Sequence, residues 1–161
     1  MKKTMLAVLA TIMAAAAPAT ALAASYVVLS LDKTRLTMTD TRSPRLTGTR
    51  AQTFQVVILR NTTKTYYGRQ ADYLVIETDF DCAKGKGQVI YTAGYDKSGG
   101  FTASDSKKRA LPKIAPGSKE AALQALGCKA TAPPMVFSLG DARVGKVLAD
   151  YRAGAYDRYI H

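Results

Sequence analysis

The chain of 161 residues has no tryptophan, one histidine and two cysteines, and each scarcity removes a class of function. The histidine is His161, the last residue, where chain ends fray. Without an internal imidazole, the usual base of a nucleophilic triad and most zinc sites are missing. Cys82 and Cys128 stand 46 positions apart, which excludes C-x-x-C redox chemistry. Two thiols do not make a structural zinc site either. Long apolar runs are scarce as well: only Met5 to Ala17 qualifies, and it is short for a membrane span of ~20 residues.

That run follows Lys2 and Lys3 and precedes Ala19-Thr20-Ala21 and Ala21-Leu22-Ala23, two overlapping A-x-A patterns. This is the three-part layout of a secretory signal peptide, so cleavage is expected near Ala23 or Ala24. No cysteine follows the cut, and a lipoprotein anchor is therefore not expected. The implied location is periplasmic or secreted, with no membrane span. Export also places Cys82 and Cys128 where disulfides persist, and a structural bridge between them is expected. Closing a loop of this length removes denatured-state entropy worth about 4 kcal/mol in the chain-entropy model.

Charge is plentiful and unbalanced. The whole chain carries +11, and loss of Lys2 and Lys3 leaves +9, from 21 basic and 12 acidic residues. In an exported protein this excess points away from nucleic acid and toward anionic polysaccharide, lipid headgroups or acidic proteins. The alternative is that the charge serves only solubility.

From Ser25 to Gly100 the apolar period is mostly two, which predicts strands. Tyr26–Leu31, Arg35–Thr39, Thr53–Arg60, Tyr73–Phe80 and Gln88–Tyr95 are read as strands. Phe101–Ser104 is joined to the last of these by the hairpin Asp96-Lys97-Ser98-Gly99-Gly100. Asn61–Lys64 reads as a connector, and Tyr66-Tyr67 as a strand end. Lys84-Gly85-Lys86-Gly87 reads as a turn whose glycines admit positive φ. The expectation is a meander-like antiparallel sheet of five or six strands.

The pattern changes at Pro116. Lys119–Leu126 is built from good helix formers, with Ser118 as a plausible N-cap and Gly127 as its stop. Leu123 and Leu126 would face the sheet together with Cys128, so the bridge would pin a helix too short to be stable alone. Ala130–Pro134 reads as a linker. Gly140–Arg152 places Val144, Val147, Leu148 and Tyr151 at helical spacing and predicts a second, amphipathic helix that Asp141 would cap. The fold class is α+β. The division read from the chain is 1–24 signal peptide, 25–128 sheet-plus-helix domain, and 129–161 linker and terminal helix.

Three stretches carry a family likeness: Thr78-Asp79-Phe80-Asp81-Cys82, Tyr95-Asp96-Lys97-Ser98-Gly99, and Ile114-Ala115-Pro116-Gly117-Ser118 running on to Cys128. Over residues 77–128 the chain resembles the surface-adhesin protein E family of bacterial exported proteins. The resemblance implies an antiparallel sheet with a helix fastened by Cys82 and Cys128, and an envelope or surface location. It also implies adhesion to extracellular matrix protein.

Candidate chemistry is sparse. Glu77, Asp79 and Asp81 would share one face of a strand, as a cation or paired-carboxylate site or as partners for neighbouring Arg and Lys. The Lys84–Gly87 turn lacks the spacing of a phosphate-binding loop. Lys107-Lys108-Arg109 is the densest positive cluster, and with Lys84 and Lys86 it forms a candidate anion-binding edge. Tyr66, Tyr67, Tyr151, Tyr156 and Tyr159 with Arg69, Arg152 and Arg158 offer amphipathic rings for a sugar- or protein-binding surface. No catalytic residue, metal site or cofactor is called for. The leading expectation is a non-enzymatic binding module for an acidic macromolecule. The alternative is an accessory envelope protein that takes a protein partner through its C-terminal helix.

Overall fold

The computed structural model describes residues 25–64 and 68–160, and the signal-peptide reading of 1–24, Tyr66-Tyr67 and His161 lie outside them. Among the described residues nine strands form one sheet: β1 Tyr26–Leu31, β2 Arg35–Asp40, β3 Arg45–Thr47, β4 Arg50–Lys64, β5 Gln70–Asp81, β6 Lys86–Tyr95, β7 Phe101–Asp105, β8 Arg109–Ala110 and β9 Phe137–Gly140. Helix α1 spans Lys119–Lys129 and α2 spans Val144–Arg152, followed by a single 3-10 turn at Asp157–Tyr159. The strand order is β7-β6-β5-β4-β2-β1-β9, with β3 beside β4 and β8 beside β6, and all pairs are antiparallel.

The α+β class and the meander are as expected, but the sheet holds more strands than the five or six foreseen. Asn61–Lys64 is the end of β4 and not a connector. Its polar residues lack apolar alternation, and their pairing comes from β5, through Thr63↔Ala71 and Lys64↔Gln70 beyond a register shift. Strands β3 and β8 are too short to show a period. Strand β9 follows two prolines, and its partner β1 lies more than a hundred residues earlier, so nothing local announces the pairing.

Alternation along β4 separates the two faces of the sheet. Val56 and Ile58 join Val28, Leu36, Met38 and Tyr73 in the main core, closed over by Val147, Leu148 and Tyr151 of α2. The opposite face presents Ala51 and Thr53 to α1. There Gly127 is not a helix stop: a Cβ on it would lie 2.9 Å from Thr53 Cγ2 and 3.0 Å from Ala51 Cβ. Glycine at this position lets the helix touch the strand, and the helix ends three residues later at Ala130, in the left-handed region at φ 50°. Ser118 does cap the start, its hydroxyl accepting from the Ala121 N–H at 3.1 Å. Leu123 and Leu126 are buried, and Cys128 bonds Cys82 just beyond β5, with Cα atoms 5.6 Å apart.

Asp141 does not cap α2. Arg143 holds the N-cap position without a side-chain bond, and the Asp141 carboxylate instead lies 2.6 Å from Arg42. Polar contacts fasten the helix at its other end. The Tyr151 hydroxyl donates to the Asp32 carbonyl (2.7 Å), Arg60 donates to the Tyr151 carbonyl (2.7 Å), and Arg152 stands 2.7 Å from Asp72. Among the described residues no helix is long and apolar enough to cross a membrane.

Candidate anion-binding edge

The turn between β5 and β6 is set by local chemistry. The Asp81 carboxylate accepts from the Lys84 N–H at 3.0 Å, and Gly85 adopts φ 63°, so the chain reverses with Lys84 and Lys86 exposed on either side. That backbone bond, more than the nearby Lys84 charge, holds the Asp81 carboxyl below its ordinary range. A strap then runs back along the start of β6. Arg109 and Ala110 pair with Val89 and Gln88, and the Leu111 N–H donates to the Gly87 carbonyl at 2.8 Å. This direction carries Lys113 to the same cleft as Lys84 and Lys86.

Gly87 makes the close approach of strap and hairpin feasible. A Cβ there would fall 2.8 Å from the Phe80 ring and 2.9 Å from Leu111 Cδ1. A side chain there would require the buried Phe80 ring or the Leu111 side chain to shift.

On one side of the turn is a depression of about 280 Å³ bordered by Arg50, Asp79, Asp81, Lys84, Lys86 and Gln88. Register places these residues together: Arg50 stands opposite Asp81, Asp81 opposite Lys86, and Asp79 opposite Gln88. Arg50 Nε reaches both Asp79 oxygens at 3.1 Å, Arg50 Nη2 also donates to Asp79, and Gln88 Nε2 donates at 3.2 Å. Burial pushes the Asp79 carboxyl up, but the bonds from Arg50 and Gln88 and the charges of Arg50 and Lys108 outweigh it and hold the group low. An acid held ionised by its partners is a poor proton donor near neutrality. Asp79 and Asp81 therefore form an ion-paired stretch of the sheet face. Glu77 lies further along, opposite Phe54 and Tyr91. Among the described residues no three His, Cys, Asp or Glu side chains gather as a metal would require.

On the other side of the turn is a wider cleft of about 600 Å³, bordered by Lys84, Lys86, Lys113 and the strap residues Leu111, Pro112 and Ile114. The remaining cations lie further along the same edge. Lys107 and Lys108 are exposed in the loop after β7, where the Lys107 N–H is held by Asp105. Arg109 opposes Val89, three residues from Lys86, or about 10 Å along the strand. Its guanidinium is engaged by Asp105 at 3.2 Å and Thr92 at 3.4 Å. The edge thus brings Lys84 and Lys86 together, sets Lys107 and Lys108 along the same strap, and turns Arg109 toward the sheet. Sequence reasoning missed Arg50 and Lys113. Neither carries a local signal, since only strand register and the course of the strap bring them here.

Of the described members of the tyrosine and arginine surface, Tyr151, Tyr156, Tyr159 and Arg152 are engaged inside the fold, while Arg69 and Arg158 are exposed. Tyr151 is fully buried with the Arg60 guanidinium 4.1 Å above its ring, and Arg152 faces Asp72 and the Leu59 carbonyl. Tyr156 and Tyr159 both lie against Phe137, at 5.3 and 4.5 Å, and Arg158 sits 4.9 Å from the Tyr159 ring. These rings join the end of the chain to β9.

What the fold and edge define is a disulfide-linked α+β domain on one antiparallel sheet, with a lysine-lined margin. No family model, curated protein or solved structure matches the chain.

Proposed function

We propose that this is a non-enzymatic exported envelope protein, adhesin-like in character, that recognises an acidic macromolecular partner through the edge formed by the β5–β6 turn and the strap beside it. The observation that carries the reading is the state of its lysines. Lys86, Lys107 and Lys113 make no ion pair among the described residues, and Lys108 reaches Asp79 only through its field and not by contact, although acidic side chains are available on the neighbouring strands. Cations left unneutralised along one margin focus positive potential there and raise the local concentration of a polyanion. Export rests on the pattern of residues 1–24, and the adhesin-like character on the motifs between Glu77 and Cys128.

The alternative, partner capture by the C-terminal helix, has less to work with. The apolar face of α2 is already buried in the main core, leaving only its polar face outward. Deleting residues 140–161 would open that core, so loss of binding after the deletion would not isolate the helix.

The test is retention of the oxidised protein on heparin and on an anionic envelope polysaccharide, against an inert protein of equal pI. Elution at clearly higher salt than the control is expected. Changing Lys84, Lys86, Lys107 and Lys108 to Glu should bring elution to or below the control, with Arg109 kept because Asp105 and Thr92 hold it in the fold. Wild-type elution with the control, or a variant retained as well as wild type, would overturn the reading.

A further inference from the structure

The β5–β6 turn borders two depressions of different electrical character, one with its charges mostly balanced and one lined by cations alone. On the Arg50 side, Asp79 and Asp81 already answer the cations, through Arg50–Asp79 and a Lys84–Asp81 separation of 3.6 Å. On the strap side, Lys84, Lys86 and Lys113 border the larger cleft, and no carboxylate takes part in its lining. The rest of that lining is backbone, Ala110, and the aliphatic side chains Leu111, Pro112 and Ile114. It contains no aromatic ring, hydroxyl or side-chain amide.

Two chemistries are therefore offered together. Lysine ammonium is a compact point charge that suits phosphate and imposes no planar, bidentate geometry. Lys86 and Lys113, with Lys84 shared with Asp81, leave an excess of positive charge around one cleft and favour an anion. An aliphatic wall gains only from hydrocarbon carried by the same molecule, since it has nothing to hydrogen-bond. A flat sugar ring would find no aromatic platform. The cleft volume falls within the range of small-molecule pockets.

The wall is also held in place. The strap is tied to β6 at one end through the Leu111–Gly87 bond. At the other it runs into α1, which Ser118 caps and Cys128 bonds to Cys82. From this juxtaposition we infer that the cleft between the Lys84–Gly87 turn and the 110–114 strap binds an anionic amphiphile. Its phosphate headgroup would lie among Lys84, Lys86 and Lys113, and its aliphatic chain along Leu111 and Ile114. The inference rests on the reading of this edge as an anion-binding surface and narrows it to one ligand chemistry.

The experiment is an amide chemical-shift titration of the ¹⁵N-labelled, oxidised protein with octyl phosphate below its micelle concentration, beside inorganic phosphate and octanol. Octyl phosphate should saturate at least tenfold more tightly than either, with shifts concentrated at residues 84–87 and 110–114. Lys86→Glu with Lys113→Glu should weaken it at least tenfold. Ile114→Ser should weaken octyl phosphate about fivefold and leave inorganic phosphate unchanged, and the dispersion of each variant's spectrum checks its folding. Octyl phosphate binding no tighter than inorganic phosphate, or shifts centred elsewhere, would overturn the inference. Co-sedimentation with phosphatidate vesicles but not phosphatidylcholine vesicles would assign the headgroup to a membrane lipid; a soluble alkyl phosphate is the source if only the monomer binds. Lys107→Glu with Lys108→Glu separates the two readings, because it should lower heparin retention and spare octyl phosphate. Failure of octyl phosphate with heparin retention intact removes the cleft and leaves the polyanion reading; failure of both removes both.

Discussion

The two helices lie on opposite faces of one sheet and are held there by different means. Helix α2 packs Val147, Leu148 and Tyr151 into an apolar face of Val28, Leu36, Met38, Val56 and Ile58, and has no covalent tie. Helix α1 meets a face of the other parity, where register sets Thr37, Thr39, Thr53 and Thr78 among Gln55, Val57 and Phe80. Hydroxyls and small groups give less transfer free energy per residue than Leu, Ile and Met. On that side the chain adds a glycine at the contact, a serine cap and a disulfide. Where the sheet offers a large apolar surface, burial suffices; where it offers threonines, a short helix needs a covalent anchor.

The comparison can be broken at four points. The largest effect is expected on the α2 side, where Tyr151→Ala should cost roughly 4 to 5 kcal/mol by removing a fully buried ring and its bond to the Asp32 carbonyl. Urea unfolding measures it, and a loss under 2 kcal/mol would mean that burial there is not the main anchor.

On the α1 side, Cys82→Ser with Cys128→Ser should cost about 4 kcal/mol, from the 46-residue separation that the bridge spans. Hydrogen exchange should rise in α1 well before it rises in α2. Equal exchange in both helices would remove the asymmetry.

Gly127→Ala sharpens the contrast. Helix propensity alone favours alanine by about 1 kcal/mol. The added methyl, however, meets Thr53 and Ala51 at 3.0 Å or less on a sheet that cannot yield cheaply. A net loss of about 1 to 2 kcal/mol is expected from overpacking, and a gain in melting temperature would show that the helix can lift off the strand without cost.

The smallest effect concerns acid. Burial pushes the Asp72 carboxyl up, but the Thr62 hydroxyl and the Arg152 guanidinium outweigh it and hold the group below its usual range. The folded state therefore binds this proton less readily than the unfolded state. The stability it confers is present above the unfolded value near ~4 and is lost as pH falls through the lower folded value. Asp72→Asn should cost about 1 kcal/mol at neutral pH, because the amide fills the same largely buried place and still accepts from Thr62 while the charge opposite Arg152 is lost, and should flatten the stability curve below about pH 4. Urea midpoints from pH 2 to 7 test this, and an unchanged acid slope would remove Asp72 from the α2 anchor.

Legibility along the chain followed the range of the interactions. The strands read at Arg35–Thr39 and Tyr73–Phe80 were readable because β-branched, aromatic and apolar residue types are a local signal, although the fold covers both faces and burial along Arg35–Asp40 and Gln70–Asp81 does not alternate. The Ser118 cap was readable because its partner, the Ala121 N–H, is three residues away. Strand β9 and the polar end of β4 were not, since their ladders are completed by distant residues. Gly127 illustrates the same limit: as a local signal it marks a helix end, whereas in the fold it marks a contact with a strand more than seventy residues earlier. At the candidate site, the Lys84–Gly87 turn and the Lys107–Arg109 cluster stood out as local charge. The engagement of Arg109 by Asp105 and Thr92, and the arrival of Arg50 and Lys113, did not.

The sequence by itself determined the α+β class, the capped helix at Ser118 and the single pair of cysteines, because period, capping and composition act over a few residues or over none. Only the tertiary structure decided which cations share an edge and which are neutralised. Charge depends on composition, but potential depends on the distance between side chains that strand register brings together.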